Sequence, residues 1–279
     1  MAQVDNIKGD GSAERLDERL CVPSGRGIRV ALGEGVLDAP VYLRDFTRSN
    51  EVYSLEFGRR LREITSHGMD AYIGICGGGN QNIELLVTMG KRPKTVTLVD
   101  TEASQLYGFM ALAKTLNEFI ADPFGKWDVG MDRVATEINR DGQLLVNLVK
   151  QDITQFVGGV TSEGKYLIYL SNVIPAYTGV NPLPAILANG NISDGSAILM
   201  VGGFYVPLED TYILVKKNGM FEVNSDDARR LYGNIENIYL TRAGSILVAP
   251  LRDSKANKDA AARADEIKAE LEKLIRVIN

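Results

Sequence analysis

Histidine is almost missing from this chain. His67 is the only one in 279 residues, beside two cysteines, Cys21 and Cys76, and one tryptophan. One histidine and two distant cysteines do not supply a zinc ligand set, and no C-x-x-C, H-E-x-x-H or calcium-loop pattern occurs. A Ser-His-Asp triad would have to use His67. It sits in "SHG", a turn just before a strand candidate, away from where a base at the top of a sheet is needed. His67 therefore reads as structural or surface. Two cysteines are too few for a disulfide framework, which points to a reducing, cytoplasmic setting. Cys76 reads as a small buried filler and Trp127 as packing. No run of about 18 to 20 consecutive apolar residues exists, so no spanning helix is expected. The start, "MAQVDNIKGDGSAERLDERL", is polar with both charge signs, unlike a signal peptide. A formal charge of −5 argues against a broad electrostatic footprint for nucleic acid or anionic membrane. The most basic segment, "RSNEVYSLEFGRRLR", reads as the solvated face of a helix.

What is present is an ordinary globular composition, 45% apolar and 24% charged, in a chain long enough to bury a large core without staples. Apolar strand candidates alternate with helical segments: "AYIGIC" then "NIELLVTMG", "TVTLVD" then "SQLYGFMALAKTLNEFI", "LLVNLVKQDI" leading to "KYLIYLSNVI", and "LPAILANG" before "SAILMVGGFY". Continuous rather than alternating apolar runs imply strands covered on both faces. The expected fold class is α/β, a doubly wound, mostly parallel twisted sheet with helices on both faces. "MFEVN", "IENIYLTR" and "GSILVAPLR", with turn signals at Asn218-Gly219 and Ala243-Gly244, predict an antiparallel C-terminal edge. Residues 1–40 read as a flexible or loosely packed segment. Residues 41–279 read as one domain, opening with a helical cap (41–66) and closing with a surface helix (254–278) that carries Ile267, Leu271, Leu274 and Ile275 on one face.

The stretch "AYIGICGGGNQNIELLVTMGKRPKTVTLVD", residues 71–100, carries the functional signal. An apolar strand breaks into Gly77, Gly78 and Gly79, and Asp100 closes a second strand about 20 residues later, the interval at which a nucleotide-binding fold places its ribose-binding acid. Three glycines in a row are more than a turn needs, which favours close approach of a ligand. A P-loop is excluded, because Gly74 and Gly79 are followed by Asn80 and Gln81 instead of lysine and a hydroxyl. A dinucleotide fingerprint beginning at Gly77 and Gly79 meets Asn82 at its third glycine position, which weakens an NAD reading. S-adenosylmethionine needs no cationic cradle. Its ribose suits Asp100, with Thr101 beside it, though Asp100 also fits an N-cap. Asp152, followed by Ile153, accepts from an adenine amine or caps a helix. Ser171 and Asn172 end the next strand on the crevice side.

At this point the chain resembles the class I S-adenosylmethionine-dependent transferases, over roughly residues 66 to 205, through "YIGICGGGN", "TLVD", "VKQDI" and "YLSNVIPAY" in order. The resemblance implies S-adenosyl-L-methionine as cofactor and a site built from Gly74, Cys76, the glycine loop, Asp100 and the strand ends. The chain departs from the family pattern where Gly74 stands at the usual acid position and Cys76 at the first loop glycine, leaving Glu84 or Asp70 as replacements for the acid. "GICGGGNQNIELLV", "VDTEASQLYGFMALAKT" and "YLSNVI" are similar to the betaine-lipid-synthase type, which transfers a 3-amino-3-carboxypropyl group and releases methylthioadenosine.

Methyl transfer to a small-molecule acceptor is the leading expectation. Tyr177, Tyr53, Tyr42 and Glu56 are candidates for a base that assists the acceptor. Asn172 and Tyr177 are separated by "VIPA", so the clamp for a flipped base is not reproduced and a nucleic-acid acceptor is not expected. An NAD-dependent oxidoreductase and a nonenzymatic nucleoside-binding domain stand as alternatives. Nothing in the sequence names the acceptor or sets an oligomeric state.

Overall fold

The computed structural model describes residues 15–16, 25–33, 55–76, 79–121, 129–140, 142–171, 183–201, 211–233, 262 and 265–279. Ten strands form one sheet: β1 (Arg15–Leu16), β2 (Ile28–Leu32), β3 (Ala71–Ile75), β4 (Thr95–Asp100), β5 (Leu144–Lys150), β6 (Tyr166–Ser171), β7 (Ala197–Val201), β8 (Thr211–Lys217), β9 (Met220–Asn224) and β10 (Ile275–Ile278). Their spatial order is β1-β2-β5-β4-β3-β6-β7-β8-β9-β10. From β2 to β7 every neighbouring pair is parallel.

The helices explain that order. From β3 the chain steps one way through α2 (Gly79–Thr88) to β4, then through α3 (Ala103–Ala121) and α4 (Val129–Asn139) to β5. It then returns through α5 (Ile153–Gly158) to the far side of β3, forming β6, and continues through α6 (Leu183–Leu187) to β7. Because parallel crossovers keep one hand, reversing direction along the sheet requires the helices to change faces. They do. The α1 (Leu55–Ile64), α2 and α3 side chains pack on the face that carries Tyr72, Leu98, Val146 and Leu199. Those of α5, α6 and two later helical stretches, 225–233 and 265–271, pack on the face that carries Ile73, Ile168, Met200 and Tyr212. The inner strands β3, β4, β6 and β7 therefore bury side chains on both faces, which is why they read as unbroken apolar runs, whereas β5 alternates the buried Leu144, Val146 and Leu148 with the exposed Leu145 and the half-buried Asn147 and Val149.

The expected fold class is met, including antiparallel pairing towards the C-terminal edge: β8 runs antiparallel to both β7 and β9. Asn218 and Gly219 join β8 to β9 with φ of 52° and 79°, the positive values that a tight hairpin turn demands. "IENIYLTR" and "GSILVAPLR" lie outside the described residues. No helix among the described residues is long and apolar enough to cross a membrane.

Two expectations need correction. Residues 28–32, assigned to a loose N-terminal segment, form an inner strand with Ile28 and Val30 buried. Asn117 of α3 holds it by a two-point bond, its Oδ1 accepting from Ile28 N and its Nδ2 donating to Ile28 O, both at 2.8 Å. The short strand, set after Gly25 and Gly27, was too brief to show a period. The C-terminal helix also stops early. After residue 271 the chain turns, and Ile275–Ile278 pair with β9 in parallel. The β-branched residues Ile275, Val277 and Ile278 favour that pleated conformation over a last helical turn.

The amino ends of the strands are tied by charge. Asp70, just before β3, accepts from Lys165 N at 3.0 Å and from Lys94 Nζ at 2.6 Å, joining β3 to the starts of β6 and β4. The Lys165 amide, then the Lys94 ammonium, hold its carboxyl below the usual carboxylate range. A lowered folded pKa contributes stability above the unfolded value of about 3.9 and loses it as pH falls through the folded value. Asp70→Asn is expected to cost about 1 kcal/mol at neutral pH, a figure reduced for solvent screening. Melting curves of the two proteins should converge as the pH is lowered below about 4. A constant gap across that range would show that the ion pair contributes nothing.

Candidate functional site

In an open α/β sheet, ligands bind outside the carboxyl ends of the strands where the winding reverses. Here the reversal falls between β3 and β6. The carboxyl end of β3 leads through Cys76 and residues 77 and 78 to Gly79, the first residue of α2. Asp100 ends β4 on one side of β3, and Ser171 ends β6 on the other. Adjacent strands lie about 4.8 Å apart, so three strand ends flank one crevice edge.

Beneath this edge lies a buried polar network. Tyr72 of β3 donates through its hydroxyl to Asn82 Oδ1 at 2.6 Å, and Asn82 Nδ2 donates to the Ile75 carbonyl at 2.9 Å. One strand over, the Tyr169 hydroxyl of β6 donates to Gln81 Oε1 at 2.5 Å. Both amides sit in the first turns of α2 and both are buried. Gly74 is what makes the first pair possible. A Cβ there would lie 2.5 Å from Asn82 Oδ1 and 2.7 Å from the Tyr72 ring. The missing acid at position 74 therefore has a physical cause: its space is filled by the chain's own amide and ring.

The remaining candidates separate clearly. Cys76 is wholly buried, its N–H donating to the Val99 carbonyl at 3.1 Å and its thiol to the Gln105 carbonyl at 3.3 Å. Burial, reinforced by the Asp100 charge, pushes the thiol pKa well up. Asp100 Oδ1 accepts from Glu102 N at 2.9 Å, a local turn that fixes the carboxylate before α3 begins. Thr101 beside it is exposed. Asp152 is the N-cap of α5, accepting from Thr154 N at 2.8 Å and Gln155 N at 3.2 Å, and Ile153 is buried beneath it.

Asp70 is removed from the list of replacements for the acid. It lies at the amino end of β3, about 16 Å along a five-residue strand from the crevice. Glu84 lies further along α2 on an exposed side, with its carboxyl pushed up by partial desolvation. Glu56 is exposed and ion-paired to Arg59 at 2.8 Å, and that hydrogen bond lowers its pKa and so its strength as a base. His67 is exposed in the turn between α1 and β3, at the amino ends of the strands. Gly77, Gly78, Asn172, Tyr177, Tyr42, Tyr53 and Trp127 lie outside the described residues, as does the Ser171 side chain. Gln81 and Asn82 are the residues that sequence reasoning passed over. The available signal was two amides directly after a glycine loop, at the start of an apolar helix.

No protein-family model matches the chain, and no curated protein matches it. Solved structures do align with it, two of them as follows. One is a protein from Corynebacterium glutamicum, 14% identical, covering 78% of this chain and 73% of that chain, with a TM-score of 0.37. The other is the SAH-bound methyltransferase PaMTH1 from Podospora anserina, 13% identical, covering 81% and 71%, with a TM-score of 0.36. Similarity at this level establishes neither a common family nor a common chemistry.

Replacing Asn82 by Leu removes its bond with the Tyr72 hydroxyl and the donor to the strand-end carbonyl of Ile75. It is expected to destabilise the fold by about 2–4 kcal/mol, whereas Tyr72→Phe, which leaves Asn82 its bond to Ile75, costs about 1 kcal/mol. Urea unfolding of the two variants measures the difference. Equal effects would mean that the carbonyl bond adds nothing.

Proposed function

We propose that this chain is an S-adenosylmethionine-dependent transferase acting on a small-molecule acceptor, with methyl transfer as the first reading. The observation that supports it most is that β3, which leads towards the glycine loop, and β4, which ends at Asp100, are parallel neighbours beside the reversal of the sheet between β3 and β6. A carboxylate held by its own turn suits a vicinal diol, because two hydroxyl donors meet an acceptor that does not have to reorganise. Tyrosine hydroxyls and side-chain amides beneath the loop suit a ligand without phosphate. An NAD reading is less well served, since Asn82, at the third glycine position, is committed to Tyr72 and Ile75.

When bound, S-adenosylmethionine supplies a carbon activated by a sulfonium, with a neutral thioether as leaving group. The residues of the chain then have to hold and align, and to keep water out. Asp100, with Thr101, is assigned to the ribose. Gly77, Gly78 and Gly79 are assigned to close backbone approach, and Ser171 and Asn172 to the crevice wall. Asp152 keeps its capping role, and its neighbour Ile153 contributes apolar surface. Tyr177 or Tyr53, ionised to phenolate, is proposed to take the acceptor's proton in preference to Glu56, whose basicity is lowered by Arg59. The cytoplasmic setting is part of the same proposal.

One observation favours a second reading, transfer of the 3-amino-3-carboxypropyl group. Tyr72 and Asn82 fill the space an acid at position 74 would need, so the amino-acid arm is held by other means and its bend is open to change.

Asp100→Asn keeps the oxygen that accepts from Glu102 N but removes the charge. Affinity for S-adenosylhomocysteine should fall about tenfold or more, with the melting temperature little changed. An unaltered dissociation constant would refute the ribose assignment. Incubation with S-adenosylmethionine and cell extract, followed by mass spectrometry, separates the two readings. S-adenosylhomocysteine accumulates on methyl transfer, and methylthioadenosine on aminocarboxypropyl transfer.

A further inference from the structure

The two amides that follow the glycine loop are not equivalent. Asn82 is fully engaged, its oxygen with Tyr72 and its nitrogen with Ile75. Gln81 is 2% exposed and engaged at one end only. Its Oε1 accepts from the Tyr169 hydroxyl, which orients the amide, while its Nε2 is buried without a hydrogen-bond partner. Native proteins rarely leave a buried donor unpaired, and exceptions call for a specific explanation.

The location supplies one. Gln81 stands in the first turn of α2, and Tyr169 is two residues from the end of β6, in register with Gly74 of β3. The unpaired donor is therefore carried by the helix that follows β3 and tethered through its own amide to β6, the two strands between which the sheet reverses. The closed pair, Tyr72 with Asn82, sits beside it.

We infer that Gln81 Nε2 recognises the carboxylate of the ligand's amino-acid arm, an inference that rests on the transferase reading above. A neutral N–H donor needs an acceptor. The ribose is assigned to the β4 side of the crevice, a sulfonium accepts nothing, and an ammonium only donates. The carboxylate is the remaining strong acceptor on the arm, and its charge is favoured at the start of α2 by the helix dipole. Gln81 thus serves as a specificity residue. It selects nucleosides that carry a carboxylate arm over those that lack one.

The test uses the full chain, calorimetric titration and two probes: S-adenosylhomocysteine, which carries the arm, and 5′-methylthioadenosine, which does not. Gln81→Glu preserves the acceptor for Tyr169 and replaces the donor with a negative charge. It is expected to weaken S-adenosylhomocysteine binding about 10- to 100-fold while leaving methylthioadenosine within about threefold. Gln81→Met, uncharged and of similar length, should weaken S-adenosylhomocysteine binding about tenfold and likewise spare methylthioadenosine, and it carries the test if the glutamate variant does not fold. Equal losses for both probes, or no loss for S-adenosylhomocysteine, would overturn the assignment. Tighter S-adenosylhomocysteine binding by Gln81→Glu would also overturn it, and would reassign the position to the ammonium. If the wild-type chain binds neither probe, the transferase reading itself fails, and the inference fails with it.

Discussion

The last carbonyl of β3 has to be satisfied where the chain leaves the sheet for the glycine loop, and most of the site follows from how this is done. Asn82 reaches back from α2 to Ile75 O and takes the Tyr72 hydroxyl on its other end. That geometry requires position 74 to have no side chain. It also fixes α2 over β3, because an amide held at two points does not slide along a strand. A buried polar group is costly unless paired, so the network acts as a register pin as well as a filler. The position where a carboxylate is expected is thus closed by internal packing before any ligand is considered.

The two ends of the sheet are organised differently. At the amino ends, Asp70 ties three strands through a backbone amide and a lysine, and Gly90 packs its Cα against the Arg62 carbonyl so that α2 and α1 meet closely. At the carboxyl ends the described polar groups include the buried amides of α2 paired with tyrosines, Asp100 held by its own turn, Lys150 at the end of β5 and Asp152 capping α5. Arg60 extends the same logic to the C-terminal half. Its bond to the buried Asp227 at 3.0 Å links α1, on one face, to the helical residues 225–233, which pack on the other.

How much of this was legible varies with length and with context. β3, β4, β6 and β7 announced themselves because strands buried on both faces read as continuous apolar runs, β5 because "LLVNLV" is apolar even where alternate residues are partly exposed, and the Asn218-Gly219 turn because positive φ has few residue solutions. β2 and β10 were missed. Each has only four or five residues, and their strand state is decided by partners far away in sequence, β5 and β9. β8, "TYILVKK", whose lysines obscure an apolar core, and α4 also went unread. In the site, Asp100 and the glycine loop were visible by spacing. The roles of Gly74, Gln81 and Asn82 were not, since each depends on which tyrosine stands across from it, and sheet register is not written locally.

Cys76 completes the argument under the transferase reading. A sulfonium is an alkylating agent, and the thiolate is the strongest nucleophile an unmodified side chain offers near neutral pH. Placing cysteine at the first position of the loop would therefore endanger the enzyme if the thiol ionised. Burial and the neighbouring Asp100 charge both keep it protonated, and its one proton is directed to the Gln105 carbonyl, towards α3. The carboxylate proposed for the ribose thus also suppresses the competing nucleophile. Exchanging the wholly buried Cys76 for glycine would leave a void next to α3, which gives the residue a packing role of its own.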